Sequence, residues 1–204
     1  MSRLTALAVA ACVAALATAA LAQDKPLLQP TRDASITYKT LGSDPGRTMQ
    51  ISHAAAGGLT RMDMPAMDGG YAIVDRKNQR ATMVIPARRA YIVLAGPQIP
   101  DPGSLPEEDA KFTRKGTDTV AGQACTVWAY TSANGNGTTC ITADGLMLRG
   151  VDQDGDGMEA TNISLDPLPA DRFAPPAGFQ KMEMPGMGGI GGPGGAPPTR
   201  PPGR

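Results

Sequence analysis

Histidine occurs once in this chain, at His53, tryptophan once, at Trp128, and aromatic residues make up only 4% of it. A single histidine excludes a histidine-rich zinc site, and a Ser-His-Asp arrangement could use only this ring. His53 sits beside alanines in a strand-like run with no serine nucleophile phrase around it, so a satisfied or solvent-facing ring is expected. Charge excess is missing too. Nineteen basic residues balance 19 acidic ones without a basic run, which leaves no footprint for nucleic acid or an anionic surface. No amphipathic run of a dozen residues separates the apolar segments, which argues against repeated βαβ units. The apolar complement leans on Ala, Val, Ile, Leu and Met, enough for one layered core of modest size.

What is present begins with an export signal. Arg3 supplies a positive n-region, Leu4 to Ala19 an apolar run, and Ala20-Leu21-Ala22 the small residues that place cleavage before Gln23. The run is short for a membrane span of roughly 20 residues. Val9-Ala10-Ala11-Cys12 loosely fits a lipoprotein box, but a cut there leaves about five apolar residues ahead of it, fewer than an h-region needs. Removing residues 1–22 removes Cys12 and leaves Cys125 and Cys140 as an even pair, in a compartment where disulfides persist. The mature chain then divides into a flexible lead over 23–33, one β domain over 34–180, and a Met/Gly/Pro-rich tail over 181–204. That tail cannot bury enough apolar area to order itself.

Short strands with turn chemistry between them follow one another from Ser35. Ser35–Lys39, Thr48–Ala54, Leu59–Met64, Tyr71–Asp75, Arg80–Ile85 and Arg89–Leu94 read as antiparallel strands, and Met158–Leu165 as a later one. Ser104-Leu105-Pro106-Glu107 has the form of a capping box, which predicts a short helix over Pro106–Lys111. A second turn of helix is expected within Pro167–Phe173. Between these, 118–149 reads as a hairpin with one cysteine on each arm, the return arm running from Thr139 to Arg149.

A two-residue Asn134-Gly135 turn would set residue 144 opposite Cys125 and leave Cys140 roughly 13 Å off register. A disulfide needs Cα atoms within about 7 Å, so the bond predicts a loop centred near Ser132-Ala133 instead. On the first arm Cys125, Val127 and Ala129 share one face. Thr126, Trp128 and Tyr130 share the other, so both faces are covered or one meets a ligand-sized hollow.

Four phrases, taken in order, carry a family resemblance: Gly70-Tyr71-Ala72-Ile73-Val74-Asp75, Thr119-Val120-Ala121-Gly122 with Cys125 and Trp128, Cys140-Ile141-Thr142-Ala143-Asp144-Gly145, and Phe173 with Pro176-Ala177-Gly178-Phe179. Over roughly residues 34 to 180 the chain resembles exported bacterial proteins of the DUF4412 type. Those are similar to the lipoprotein-carrier (LolA/LolB-like) fold. The resemblance implies a mainly β protein, a curved antiparallel sheet forming an incomplete half-barrel with one or two short helices, and an apolar ligand groove. It implies no activity. Two departures from the carriers stand out: long helices lining the barrel are not evident, and the tail is additional.

Two motifs bear on metals. Arg61-Met62-Asp63-Met64-Pro65-Ala66-Met67 is echoed by Lys181-Met182-Glu183-Met184-Pro185-Gly186-Met187. Clustered thioethers suit Cu(I) or Ag(I), though Met62 and Met64 also alternate as core-filling strand residues do. Asp152-Gln153-Asp154-Gly155-Asp156-Gly157 matches the first half of a calcium loop, but Ile163 stands where a bidentate Glu is required, so an Asp/Gly hairpin turn is expected.

The function expected from all this is an exported, non-enzymatic, periplasmic protein that holds an apolar or lipid-like ligand in the concave sheet face. Tyr38, Ile73, Met83, Tyr91, Val93 and Trp128 would line the groove, with no cofactor, no nucleic-acid partner and no membrane span. Two alternatives stand beside it. One is a Cu(I)/Ag(I)-binding protein using Met62, Met64, Met67, Met182, Met184 and Met187. The other is a structural envelope protein whose core is full.

Overall fold

The computed structural model describes residues 25–64, 68–95, 109–133 and 135–183. The export signal, the capping box at 104–107, Met67, Met184, Met187 and most of the tail lie outside the described residues.

All the described strands belong to one open sheet of 12 strands, antiparallel except at its last member. Ala34–Leu41 (β1), Thr48–Ala54 (β2), Leu59–Met64 (β3), Gly70–Asp75 (β4), Arg80–Ile85 (β5) and Ala90–Ala95 (β6) form a first meander. Lys111–Val120 (β7), Gln123–Ser132 (β8), Gly135–Ile141 (β9), Met147–Asp152 (β10) and Gly157–Ser164 (β11) form a second. Pairing of β1 with β11 joins the two, and Gln180–Lys181 (β12) adds to β6 in parallel. Strand alternation places Ala34, Ile36 and Tyr38 of β1 in the core, with Ile36 and Tyr38 no more than 1% exposed. β1 is therefore both the seam of the sheet and the centre of its largest apolar cluster, which includes Ile51, Met62, Leu146, Leu148 and both cysteines.

The two meanders differ in regularity. From β1 through β6 the register runs without a shift. Shifts occur at Thr37/Tyr38 against β11, between Met147 and Arg149, and between Arg114 and Gly116. Each extra residue bends the strand and deepens the local twist. The result is a curl tight enough for Arg149 of β10 to reach across to Asp118 of β7 at 2.5 Å. The expected curved, mainly β architecture is present, and its curvature is concentrated in the second half.

Three expectations need correction. Lys111 opens β7 rather than closing a helix, and the ten residues of β7 are a mostly exposed edge strand. The return arm from Thr139 is two strands, not one. The chain turns at 142–146, where the Leu146 N–H donates to Thr142 Oγ1 (3.0 Å) and the Gly145 N–H to the Thr142 carbonyl (3.1 Å). Finally, the hairpin register matches neither alternative. The ladder ends at Ser132 opposite Gly135, so Cys140 faces Val127 and lies diagonal to Cys125. Their Cα atoms are nevertheless 5.4 Å apart and the disulfide is formed. Twist shortens one diagonal of a hairpin, which a flat ladder does not.

The second expected helical turn is present as a 3₁₀ turn at Ala170–Phe173. It belongs to a strap, residues 166–183, that crosses one face of the first meander. Phe173, Leu168 and Phe179 pack there on Tyr71, Ile73, Val84 and Tyr91. Arg172 fixes it by donating to Ser52 Oγ (3.1 Å) and Gln50 Oε1 (2.7 Å), while Arg61 donates to the Arg172 carbonyl (3.0 Å). The Arg61 guanidinium also lies 3.6 Å over the Tyr71 ring.

Candidate functional site

The second meander holds a cavity of about 210 Å³ between β8, β9, β10 and β11. Its apolar wall is built from Met147, Met158 and Val151, with the Tyr130 ring and Thr139 beside them. Two glycines allow the close packing around it. Gly137, opposite Tyr130, has no room for a Cβ, which would stand 2.3 Å from the Val151 carbonyl oxygen and 2.8 Å from the phenol oxygen. At Gly150 a Cβ would lie 3.0 Å from the Met147 sulfur. Trp128 closes the neighbouring side, packed with Ile141 and Met147 and met edge-on by Phe112 at 6.3 Å between ring centroids.

The polar groups at the rim are mostly committed. Asp152 accepts the N–H groups of Asp154 and Asp156, each at 2.9 Å, and Asp156 accepts the Ser43 N–H (2.6 Å) and hydroxyl (3.1 Å). Those bonds hold the Asp156 carboxyl below its ordinary range, the Ser43 backbone N–H foremost. The half calcium loop is thus a closed Asp/Gly turn. Among the described residues no group of three or more His, Cys, Asp or Glu side chains is placed to hold a metal ion. Thr139 donates to the Arg149 carbonyl at 3.1 Å. The Tyr130 phenol is pushed up by burial and then by the charge of Asp152, so it stays a neutral hydroxyl.

The six residues expected to line a groove do not converge. Paired residues of an antiparallel ladder share a face. Ile73, Thr82 and Val93 form one row and Tyr71, Val84 and Tyr91 the next, which puts Ile73, Val93 and Tyr91 on the strap side. Met83 lies in the row Ile36, Ile51, Met62, Ala72, Met83 on the opposite face, the face of Tyr38. None of the six lines the cavity itself, although Trp128 and Tyr38 both adjoin its Met147 wall. The buried Tyr38 hydroxyl donates to the Met147 carbonyl at 2.7 Å, and burial raises its pKa. Tyr130 is readable from the sequence as the face-mate of Trp128. Met147 is open to the same reasoning: Asp144-Gly145 is a turn signal, and taking Thr139 to Arg149 as one arm passes over it.

Met62 is buried in the main core and Met64 packs against it half-buried, while Met182 lies beside β6 with its N–H donating to the Tyr91 carbonyl at 2.8 Å. His53 is half-buried, with Nδ1 3.2 Å from Thr60 Oγ1. Burial, and then the charge of Arg76, push its pKa down to about 4.

A family model described as a domain of unknown function, DUF4412, matches residues 39–149. No curated protein matches the chain. Among solved structures, an uncharacterized conserved protein from Thermus thermophilus superposes with a TM-score of 0.51 at 13% identity, over 74% of this chain and 90% of its own. MucB does so with a TM-score of 0.50 at 14% identity, over 74% of this chain and 59% of MucB. A putative outer membrane lipoprotein-sorting protein domain from Vibrio parahaemolyticus covers 70% of this chain and 89% of its own at 12% identity, with a TM-score of 0.27 that is too low to argue from. At these identities the likeness is one of fold, and fold does not carry function.

Proposed function

The chain belongs to the DUF4412 family, and for this member we propose an exported, non-enzymatic, periplasmic protein that receives the end of an apolar or lipid-like chain in the cavity beside Trp128. The observation that carries the reading is the lining: two thioethers, a valine and a neutral phenol around about 210 Å³, with the adjacent carboxylates spent on backbone donors. Each methylene buried there contributes about 0.8 kcal/mol. The volume is below the roughly 300–1,000 Å³ of sites that enclose a whole drug-sized molecule, which favours one chain end over an entire lipid. Tyr130 is left to meet a polar head at the rim.

Export is supported by the signal pattern at 1–22 and by a disulfide suited to an oxidising compartment. No helix among the described residues is long and apolar enough to cross a membrane. The non-enzymatic reading is supported by His53 being paired with Thr60 and by both mature cysteines being joined. The test is native mass spectrometry of protein purified from its own periplasm. An apolar adduct is expected on the wild type and not on Val151→Trp, which fills the cavity. Protein that carries no adduct and takes up none from lipid extract would sink the reading, and bound Cu(I) in its place would move the function to the methionines.

A further inference from the structure

The residues before β1 do not behave as a free lead. Pro26 is buried, and Leu28 packs into the cluster of Trp128, Ile141 and Met147, beside Phe112 and Met158. Met147 and Met158 are also walls of the cavity. Leu28 and Met158 thus pack against the one cluster that holds Met147, so the Leu28 slot adjoins the site proposed above. A chain end entering the cavity and growing longer would run into that slot.

How the segment is fastened is uneven. Thr31 donates through its N–H to the Asp144 carbonyl at 2.9 Å and through its hydroxyl at 3.3 Å, and Arg32 pairs with Asp144 at 3.6 Å. All three contacts lie on the β1 side of Leu28. From Lys25 to Pro30 no hydrogen bond ties the segment to the sheet among the described residues. Only apolar packing holds it there. Gly145, at φ +85°, makes the approach possible, because a Cβ would stand 2.4 Å from the Gln29 carbonyl oxygen. Pro26 and Pro30 lack N–H donors, so the segment is poorly suited to adding to the sheet as a strand.

We propose that residues 25–30 are a displaceable plug. Leu28 occupies, in the empty protein, the apolar slot that a bound acyl chain takes over, while Thr31 and Arg32 remain fastened as the hinge. The inference rests on the apolar-ligand reading and adds where the ligand lies and what it must expel. Docking of Leu28 and binding of the chain exclude one another. If the slot stands open about a tenth of the time, removing the plug lowers the apparent Kd about tenfold.

Trp128 is the only tryptophan, so quenching by a brominated acyl chain reports this slot alone. The experiment titrates full-length mature protein with dibromopalmitate and, separately, with vesicles of dibrominated phosphatidylcholine, reading Trp128 fluorescence and, for the free acid, heat. Quenching is expected, with affinity about tenfold higher in both Leu28→Ala and Leu28→Asp. Two variants are used because the alanine empties the slot while the aspartate drives the segment out of it. Quenching by the free acid alone assigns a soluble chain, and quenching by vesicles assigns one drawn from a bilayer. Quenching with unchanged affinity in both variants overturns the plug and leaves the binding reading standing. Heat without quenching overturns the plug and moves the ligand elsewhere. No binding by any form overturns both.

Discussion

The two halves of the sheet are closed by unlike means. Over the first meander, strap residues 166–183 are held by aromatic packing, by Arg172 bonded to two side chains of β2, and by backbone hydrogen bonds from Gln180 and Met182 to the edge of β6. Over the second, the covering segment is one leucine hung from a fastened Thr31. The first half has an unshifted register, and the second has the bulges, the curl, the disulfide and the cavity. Irregular pairing leaves concave space that regular pairing fills. A cover held by packing alone can move, whereas one held by packing plus hydrogen bonds is part of the core.

If that contrast is right, the largest loss should come from the strap. Phe173→Ala removes a buried ring and is expected to lower unfolding free energy by about 3–5 kcal/mol in urea titration. A loss below about 1 kcal/mol would make the strap as loose a cover as the lead. Replacing both Cys125 and Cys140 by alanine should cost about 3 kcal/mol, since the bond closes a loop of about 15 residues in the unfolded chain. Trp128 emission should report this loss in the second half, with far-ultraviolet dichroism showing whether the first half unfolds with it.

Acid should act on the first half, where His53 sits. Its folded pKa of about 4 lies below the ordinary 6.5 because burial and Arg76 disfavour the charged ring. The unfolded chain therefore takes up the proton first. Stability is complete above about pH 6.5 and falls by about 3 kcal/mol as pH drops through 4, a slope that His53→Gln should flatten. The smallest effect is a gain. Ala121 holds φ +48° ahead of Gly122 in the two-residue turn joining β7 to β8. Ala121→Asn supplies the Asn-Gly pair this turn prefers and should add about 0.5–1 kcal/mol, read as a rise in Tm.

Legibility followed the same division. β1 to β6 can be read from alternation and turn residues because each strand has a buried face and pairs in simple register. β7 cannot. Lys111-Phe112-Thr113-Arg114-Lys115-Gly116 is an exposed edge whose charges hide the strand pattern, as edge charges do when they keep other chains from pairing. The turn at Asp144-Gly145 does carry a local signal, the Asp-Gly pair, which a reading of Thr139 to Arg149 as one long arm overrides. At the site, Trp128 and Tyr130 are recoverable from period two. Their convergence with Met147, Met158 and Leu28 depends on bulges and on a segment without periodicity, which no local pattern encodes.

The diagonal placement of the two sulfurs has one more consequence. The return arm begins Gly135-Asn136-Gly137, a stretch whose missing side chains let it slide along its neighbour by two places with the same faces still inward. Such a slide would carry Cys140 away from Cys125 or directly across from it. Oxidation thus writes the alignment into covalent structure, and a chain exported but not yet oxidised would be free to zip up out of step.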